Sequence, residues 1–190
     1  MRFLLFDVDG VLADTEQVHE NATCLAAGTY IDCSGGGSTM DKLRRAGYAE
    51  EEARLIYARK KLIYGECVAQ VQSDWELVQM FFNLREPAAA CSNSNRDSCH
   101  LLLHNLGILR QLKTVVTATD VAEMHKPKPD IYIEAMLRLQ ARPEECVVFE
   151  DSDEGIQSAQ SAGIQTIVRC TRKTLIEEVK KCVLSFPQQV

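Results

Sequence analysis

The stretch LLFDVDGVLADTEQVH (residues 4–19) decides how the rest of the chain is read. The apolar run FLLF (residues 3–6) has the length and composition of a buried strand. It drives straight into Asp7 and Asp9, with Asp14 close behind. At the two-residue period of an extended chain, Asp7 and Asp9 project to the same side, and Gly10 permits a sharp turn after them. Acids crowded in this way repel, and a bound divalent cation is the natural counterweight.

Four further apolar runs follow: AAAC (residues 88–91), TVVTA (114–118), CVVF (146–149) and QTIV (165–168). Helical patterns fill the gaps between them. One spans 96–105, with Leu101, Leu102 and Leu106 spaced for a buried stripe and Gly107 as a stop; the others span 130–140 after Pro129, 153–162 closing on Gly163, and 173–184. Strand and helix alternating in this way predict an α/β fold, a Rossmann-like parallel sheet flanked by helices on both faces. The rhythm breaks between Asp14 and Arg85, where no strand pattern occurs. Helical patterns at 16–27, 40–46, 50–70 and 74–84 stand there instead, and the last carries the single tryptophan, Trp75. CSGGGST (33–39) interrupts them as a flexible turn. The expected organisation is an α/β core from residues 1–14 and 86–190, with a small inserted α-helical cap and its return helix at 15–85.

A chain of 190 residues, 46% hydrophobic and 25% charged, is one soluble globular domain with room for such an insert. Its net charge of -6 argues against nucleic-acid binding. No run approaches the about 18 apolar residues of a membrane span, and the opening MRFLLFDVDG is too short in its apolar part for a signal peptide. The 8 cysteines are scattered, without a C-x-x-C pair, and several sit inside apolar runs. They read as reduced structural residues of a cytoplasmic protein.

In open parallel sheets, ligands bind beyond the carboxyl ends of the strands. Polar residues cluster where the apolar runs stop: Asp7 and Asp9; Ser92, Asn93 and Ser94; Lys126 after the third run; Glu150 and Asp151. Carboxylates suit Mg²⁺, a hard cation that often shares a substrate phosphate. The Ser92 hydroxyl and the N–H groups of Asn93 and Ser94 are placed to hold phosphate oxygens at the start of the next helix. Lys126 lies in HKPKPD, where Pro127 and Pro129 restrict the backbone. Each element has a plainer structural meaning on its own: a solvated turn, an N-cap, a capped helix start. Falling in order at successive strand ends, they specify one site.

Those motifs resemble the haloacid dehalogenase superfamily, mostly Mg²⁺-dependent phosphotransferases. DVDGV, CSNSN, HKPKPD and FEDSDEG match its four motifs, and the resemblance covers nearly the whole chain. The helical insert resembles the cap of the subgroup whose cap follows the first motif. The resemblance implies that Asp7 attacks phosphorus to form an aspartyl-phosphate. It implies that Asp9 protonates the leaving alcohol and then activates water, and that Ser92 and Lys126 bind the phosphoryl oxygens. Mg²⁺ would be held by Asp7, the backbone carbonyl of Asp9 and Asp151, with Glu150 beside them. Dehalogenases similar to this pattern lack the second Asp, so Asp9 favours phosphate chemistry.

DVDGVLADTEQVH is similar to the opening of β-phosphoglucomutases and related sugar-phosphate phosphatases, which implies site roles for Thr15 and His19. ARKK (58–61) resembles the cap segment that places a lysine, here Lys60, over the active site. The mutases carry an arginine after a Gly-x-Ser turn, and the aligned residue here is Thr39. Without that second phosphate clamp, the expected activity is hydrolysis of a small phosphorylated metabolite such as a sugar phosphate. A β-phosphoglucomutase-type mutase is the alternative. A non-catalytic sugar-phosphate-binding regulator is a third reading, which predicts damage to Asp7, Asp9, Ser92, Lys126 or Asp151, and none is damaged. The expected partners are thus a small phosphorylated metabolite, no nucleic acid and no membrane, with the protein a monomer or weak homodimer.

Overall fold

The computed structural model describes residues 2–34, 38–122 and 124–185, so the three glycines of the expected turn at 33–39 lie outside the described residues. A five-stranded parallel sheet runs through it: β1 (Phe3–Asp7), β2 (Ala88–Ser92), β3 (Thr114–Thr117), β4 (Cys146–Glu150) and β5 (Thr166–Arg169), in the order β3-β2-β1-β4-β5. Each apolar run read from the sequence forms its strand. The third stops one residue early, because Thr117 opens a 3-10 turn at Ala118–Val121 and its side chain and N–H bind Asp120.

Eight α-helices accompany the sheet among the described residues: α1 (Glu16–Ala27), α2 (Thr39–Arg45), α3 (Glu50–Val68), α4 (Trp75–Asn83), α5 (Arg96–Asn105), α6 (Asp130–Leu139), α7 (Asp153–Ser161) and α8 (Leu175–Leu184). The chain divides into two compact units, Met1–Asp14 with Ser73–Val190, and Thr15–Gln72. The return helix α4, which the sequence reading joined to the insert, groups with the first unit. It buries Leu77 and Phe81, and the Phe81 ring lies 5.2 Å from that of Phe6. Trp75, at its first turn, is 70% exposed.

In the first unit the residues of β1 alternate between two buried faces. Phe6 stacks on Phe149 at 4.9 Å on one face. Phe3 and Leu5 join Cys91, Val116, Cys146 and Val148 on the other, under Ile131, Tyr132, Ala135 and Met136 of α6. The same period carries Asp7, two residues past Leu5, and Glu150, two past Val148, onto the α6 side. That alternation explains how two acids come to be buried there. Gly163, at φ 86°, follows α7 as its left-handed stop.

In the second unit α1 packs along α3. Ala26, Ile31, Cys33, Leu43, Ala53 and Ile56 form its core, and Arg59 donates to the carbonyl of Ala26 at 3.1 Å near the end of α1. All eight cysteines are free thiols. Burial pushes Cys91, Cys146 and Cys170 up to about 12, which suits inert core residues and no nucleophile. No helix among the described residues is long and apolar enough to cross a membrane.

Candidate active site

Strand order reverses at β1: the chain builds outward through β2 and β3, then returns to place β4 on the other flank of β1. The crevice at such a switch point lies beyond the carboxyl ends of the strands. Asp7 ends β1, Ser92 ends β2 and Glu150 ends β4. Lys126 comes from the loop between β3 and α6.

Lys126 is the hub of this crevice. Its Nζ donates to Asp7 Oδ1 at 2.6 Å, to Glu150 Oε1 at 2.6 Å and to the Cys91 carbonyl at 2.9 Å, and its side chain is 3% exposed. Asn93 holds the lysine's backbone, accepting from the Lys126 N–H at 2.8 Å and donating to its carbonyl at 3.5 Å. Burial works against the ammonium, but Asp7, Tyr132 and Glu150 outweigh it and hold Lys126 well above the ordinary lysine range.

Glu150 is fully buried and both its oxygens are occupied. Oε1 accepts from Lys126 and from Tyr132 Oη at 3.0 Å. Oε2 accepts from the N–H of Asp151 at 3.1 Å, the N–H of Ser152 at 3.2 Å and the Ser152 hydroxyl at 3.1 Å. Burial would raise its pKa, yet Lys126 and these donors prevail and keep it below the usual carboxylate range. The start of α7 passes so close that a Cβ at Gly155 would overlap the Glu150 carboxylate.

With Glu150 paired to the lysine, Asp7 carries the surplus charge. Burial first, then the Glu150 carboxylate, push Asp7 well above the usual range despite Lys126. Asp151 is raised by the same two causes. Asp7, Glu150 and Asp151 each bring a carboxylate oxygen within 4.8 Å of the others. Oxygen donors so arranged fit a hard divalent cation. Because Glu150 is committed to five donors, Asp7 and Asp151 are the candidate side-chain ligands. Asp14 is exposed and stands outside this group, so Asp7 is crowded by Glu150 and, to a lesser degree, by Asp9.

Asp9 sits in the tight loop after β1. The Ser92 and Ser94 hydroxyls both donate to its Oδ2, at 3.2 and 3.0 Å. Gly10 has φ 93°, and a Cβ there would strike the Asp151 carboxylate, so the loop requires glycine on two counts. Its carbonyl accepts from the Arg172 N–H at 2.7 Å, while the Arg172 side chain pairs with Asp74, the N-cap of α4. The Ser94 N–H, expected to meet phosphate, donates instead to Ser92 Oγ at 2.9 Å. That bond ties Ser92, at the end of β2, to the loop before α5, whose N-cap is Asn95.

The other expected site residues lie in the helical unit. Thr15 is buried at the start of α1. His19 stacks on Tyr64 at 4.5 Å between ring centres, with the Tyr64 hydroxyl 3.2 Å from its Nε2. Lys60 is buried, and its Nζ donates to Thr39 Oγ1 at 2.6 Å. Thr39, expected from the sequence at the position of the mutases' arginine, is thus bonded to Lys60, expected as the cap lysine.

Two participants were missed by sequence reading. Tyr132, inside the helical pattern at 130–140, and Gly155, inside that at 153–162, are not singled out by the sequence. The signal for both was positional: each packs beside the strand-end acid Glu150.

Fold and site together define a parallel α/β protein with a lysine–carboxylate centre at the carboxyl edge of its sheet. The family described as haloacid dehalogenase-like hydrolase matches residues 1–163, and the chain belongs to it. It is 33% identical over 180 residues to the fructose-1-phosphate phosphatase YqaB of Escherichia coli, covering 86% of this chain and 94% of that protein. It is 28% identical over 186 residues to a phosphorylated carbohydrates phosphatase of Thermotoga maritima, covering 88% and 84%. Among solved structures, the β-phosphoglucomutase of Clostridium difficile shares the fold with a TM-score of 0.75 at 22% identity, covering 95% of this chain and 96% of that one.

Proposed function

We propose that the protein is a Mg²⁺-dependent phosphatase of small phosphorylated metabolites, with sugar phosphates the leading substrate class. The observation that carries this reading is the buried Asp7–Lys126–Glu150 chain beside Asp151, with Asp9 held separately by two hydroxyls. The relatives named as phosphatases of fructose 1-phosphate and of phosphorylated carbohydrates support the substrate class.

In this reading an Asp7 oxygen attacks phosphorus, the bond from phosphorus to the alcohol oxygen breaks, and Asp9 gives that oxygen a proton. Water then attacks the aspartyl-phosphate, Asp9 takes up its proton, and the Asp7 carboxylate is released with free phosphate. Lys126 fixes Asp7 and offsets phosphoryl charge, and the Ser92 hydroxyl and the neighbouring loop contribute donors. Asp7, Asp151 and the carbonyl of Asp9 are the residues that would hold Mg²⁺. When bound, the ion supplies positive charge against the phosphate and lets Asp7 stay ionised. Thr15, His19 and Lys60 are assigned to recognition of the rest of the substrate. Thr39 in place of arginine disfavours a mutase, which must retain a bisphosphorylated intermediate against hydrolysis.

The test is phosphate release from a panel of phosphorylated metabolites in Mg²⁺ and in EDTA, with β-glucose 1-phosphate included. Release of inorganic phosphate that stops in EDTA is the expected result. Conversion of β-glucose 1-phosphate to glucose 6-phosphate would show a mutase, and no turnover of any phosphomonoester would defeat the reading.

A further inference from the structure

An ammonium group has three N–H bonds. Lys126 directs them to Asp7 Oδ1, Glu150 Oε1 and the Cys91 carbonyl, all within 2.9 Å. A phosphoryl oxygen that accepts from Lys126 must therefore take over a hydrogen bond that the protein now holds. Losing the bond to Asp7 would free the nucleophile, and a buried carboxylate oxygen stripped of its donor is costly.

Glu150 Oε1 is placed to release the lysine without that cost. The Tyr132 hydroxyl donates to the same oxygen at 3.0 Å, and the second oxygen keeps three donors of its own. Tyr132 is fully buried on α6, so its hydroxyl is aimed by packing. Its ring centre lies 5.0 Å from Lys126 Nζ, within the range of a cation–π attraction, so the ammonium keeps an electron-rich wall if one N–H turns away from Glu150.

We propose that Tyr132 is a positioning residue that lets Lys126 exchange Glu150 for the phosphoryl group, keeping the Glu150 oxygen hydrogen-bonded while the lysine turns. The inference rests on the phosphatase reading above. It places the function of Tyr132 in the ligand-bound state, whereas a purely structural tyrosine would act in the free protein.

The variant is Tyr132→Phe, which keeps the ring and removes only the hydroxyl. Three quantities are measured: the melting temperature of the free protein, the inhibition constant of orthovanadate in Mg²⁺, and the kinetics of p-nitrophenyl phosphate hydrolysis. The exchange predicts a melting temperature close to wild type. It predicts vanadate affinity and turnover reduced roughly ten- to a hundredfold, the factor one unpaired buried acceptor commands. A lowered melting temperature with unchanged vanadate affinity would make the tyrosine structural and overturn the proposal, as would a Tyr132→Phe chain that fails to fold. Wild-type protein that neither hydrolyses p-nitrophenyl phosphate nor binds vanadate would instead defeat the phosphatase reading, and this inference with it.

Discussion

Lys126 Nζ lies 2.6 Å from Asp7 Oδ1, across 119 residues of sequence, and the same nitrogen lies 2.6 Å from Glu150. One ammonium thus serves two buried acids. Removing it does two separable things: it loosens the proposed nucleophile, and it leaves Glu150 charged and buried without its partner. Lys126→Ala is expected to lower turnover about 10²–10³-fold and to destabilise the fold by about 3 kcal/mol. Asp7→Asn, by contrast, removes one surplus acid and should abolish turnover in a protein at least as stable as wild type. Kinetics and chemical denaturation of both variants check this pair. An Asp7→Asn enzyme with near-normal rate would refute the nucleophile assignment.

Gly155 sits within α7, where alanine ordinarily improves a helix by roughly 0.5–1 kcal/mol. Here the sign should invert. A Cβ at this position overlaps the Glu150 carboxylate, which is pinned by Lys126, Tyr132 and the start of α7 and has little room to move. Gly155→Ala is expected to cost about 1–3 kcal/mol, the usual penalty of overpacking, and to depress activity by displacing Lys126. Thermal denaturation decides it: a variant as stable as wild type would mean that the carboxylate shifts without penalty.

What could be read from residue order, and what could not, divides along physical lines. The strands were legible because five short apolar runs each end in polar residues, and the alternation of runs and helices leaves few topologies. Asp7, Ser92, Lys126 and Asp151 were legible because a switch-point crevice gathers strand ends. The partners of those residues were not. Period-two spacing puts Asp7 and Glu150 on the same face only once β1 and β4 are known to be neighbours in parallel register. The backbone N–H of Asn93 was read as a phosphate donor, but nothing in residue order tells that its side-chain amide braces the Lys126 backbone from 33 residues away. The boundary of the helical insert also depended on packing. The pattern of α4 is equally good for either unit, and its burial of Phe81 beside Phe6 allots it to the first.

Asp7 and Asp151 both stand above the usual carboxylate range because burial and Glu150 disfavour their charged forms. A cation shared between them removes that penalty. Adding Mg²⁺ to chelator-treated protein is therefore expected to raise the melting temperature, following the ligand's concentration relative to its dissociation constant. Asp151→Asn should abolish most of the increment, while Asp14→Asn, outside the cluster, should keep it. Differential scanning calorimetry with and without Mg²⁺ reads the effect, and an increment that survives Asp151→Asn would displace the cation from this site.

Another acid with a buried side chain, Asp120, lies away from the reaction centre and sets a prediction for acid stability. Asp120 Oδ1 accepts from Arg96 at 2.6 Å and Arg138 at 2.8 Å, and Oδ2 from the N–H and hydroxyl of Thr117 at 2.9 and 2.6 Å. Its side chain is 4% exposed. Burial alone would raise its pKa, but the Thr117 hydroxyl and the two arginines prevail and hold the carboxyl well below the usual range. A folded-state pKa below that of the unfolded chain means that the unfolded state binds more protons in between. The stabilisation is therefore complete above the unfolded value of about 3.9 and drains away as pH falls towards the folded one. Asp120→Asn should cost about 2 kcal/mol at pH 7, and the gap between variant and wild type should narrow as the pH is taken below about 4. Urea denaturation at pH 7 and pH 3 measures both gaps, and a difference that stays constant between them would show that Asp120 acts through shape and neutral hydrogen bonds, with no part played by its charge.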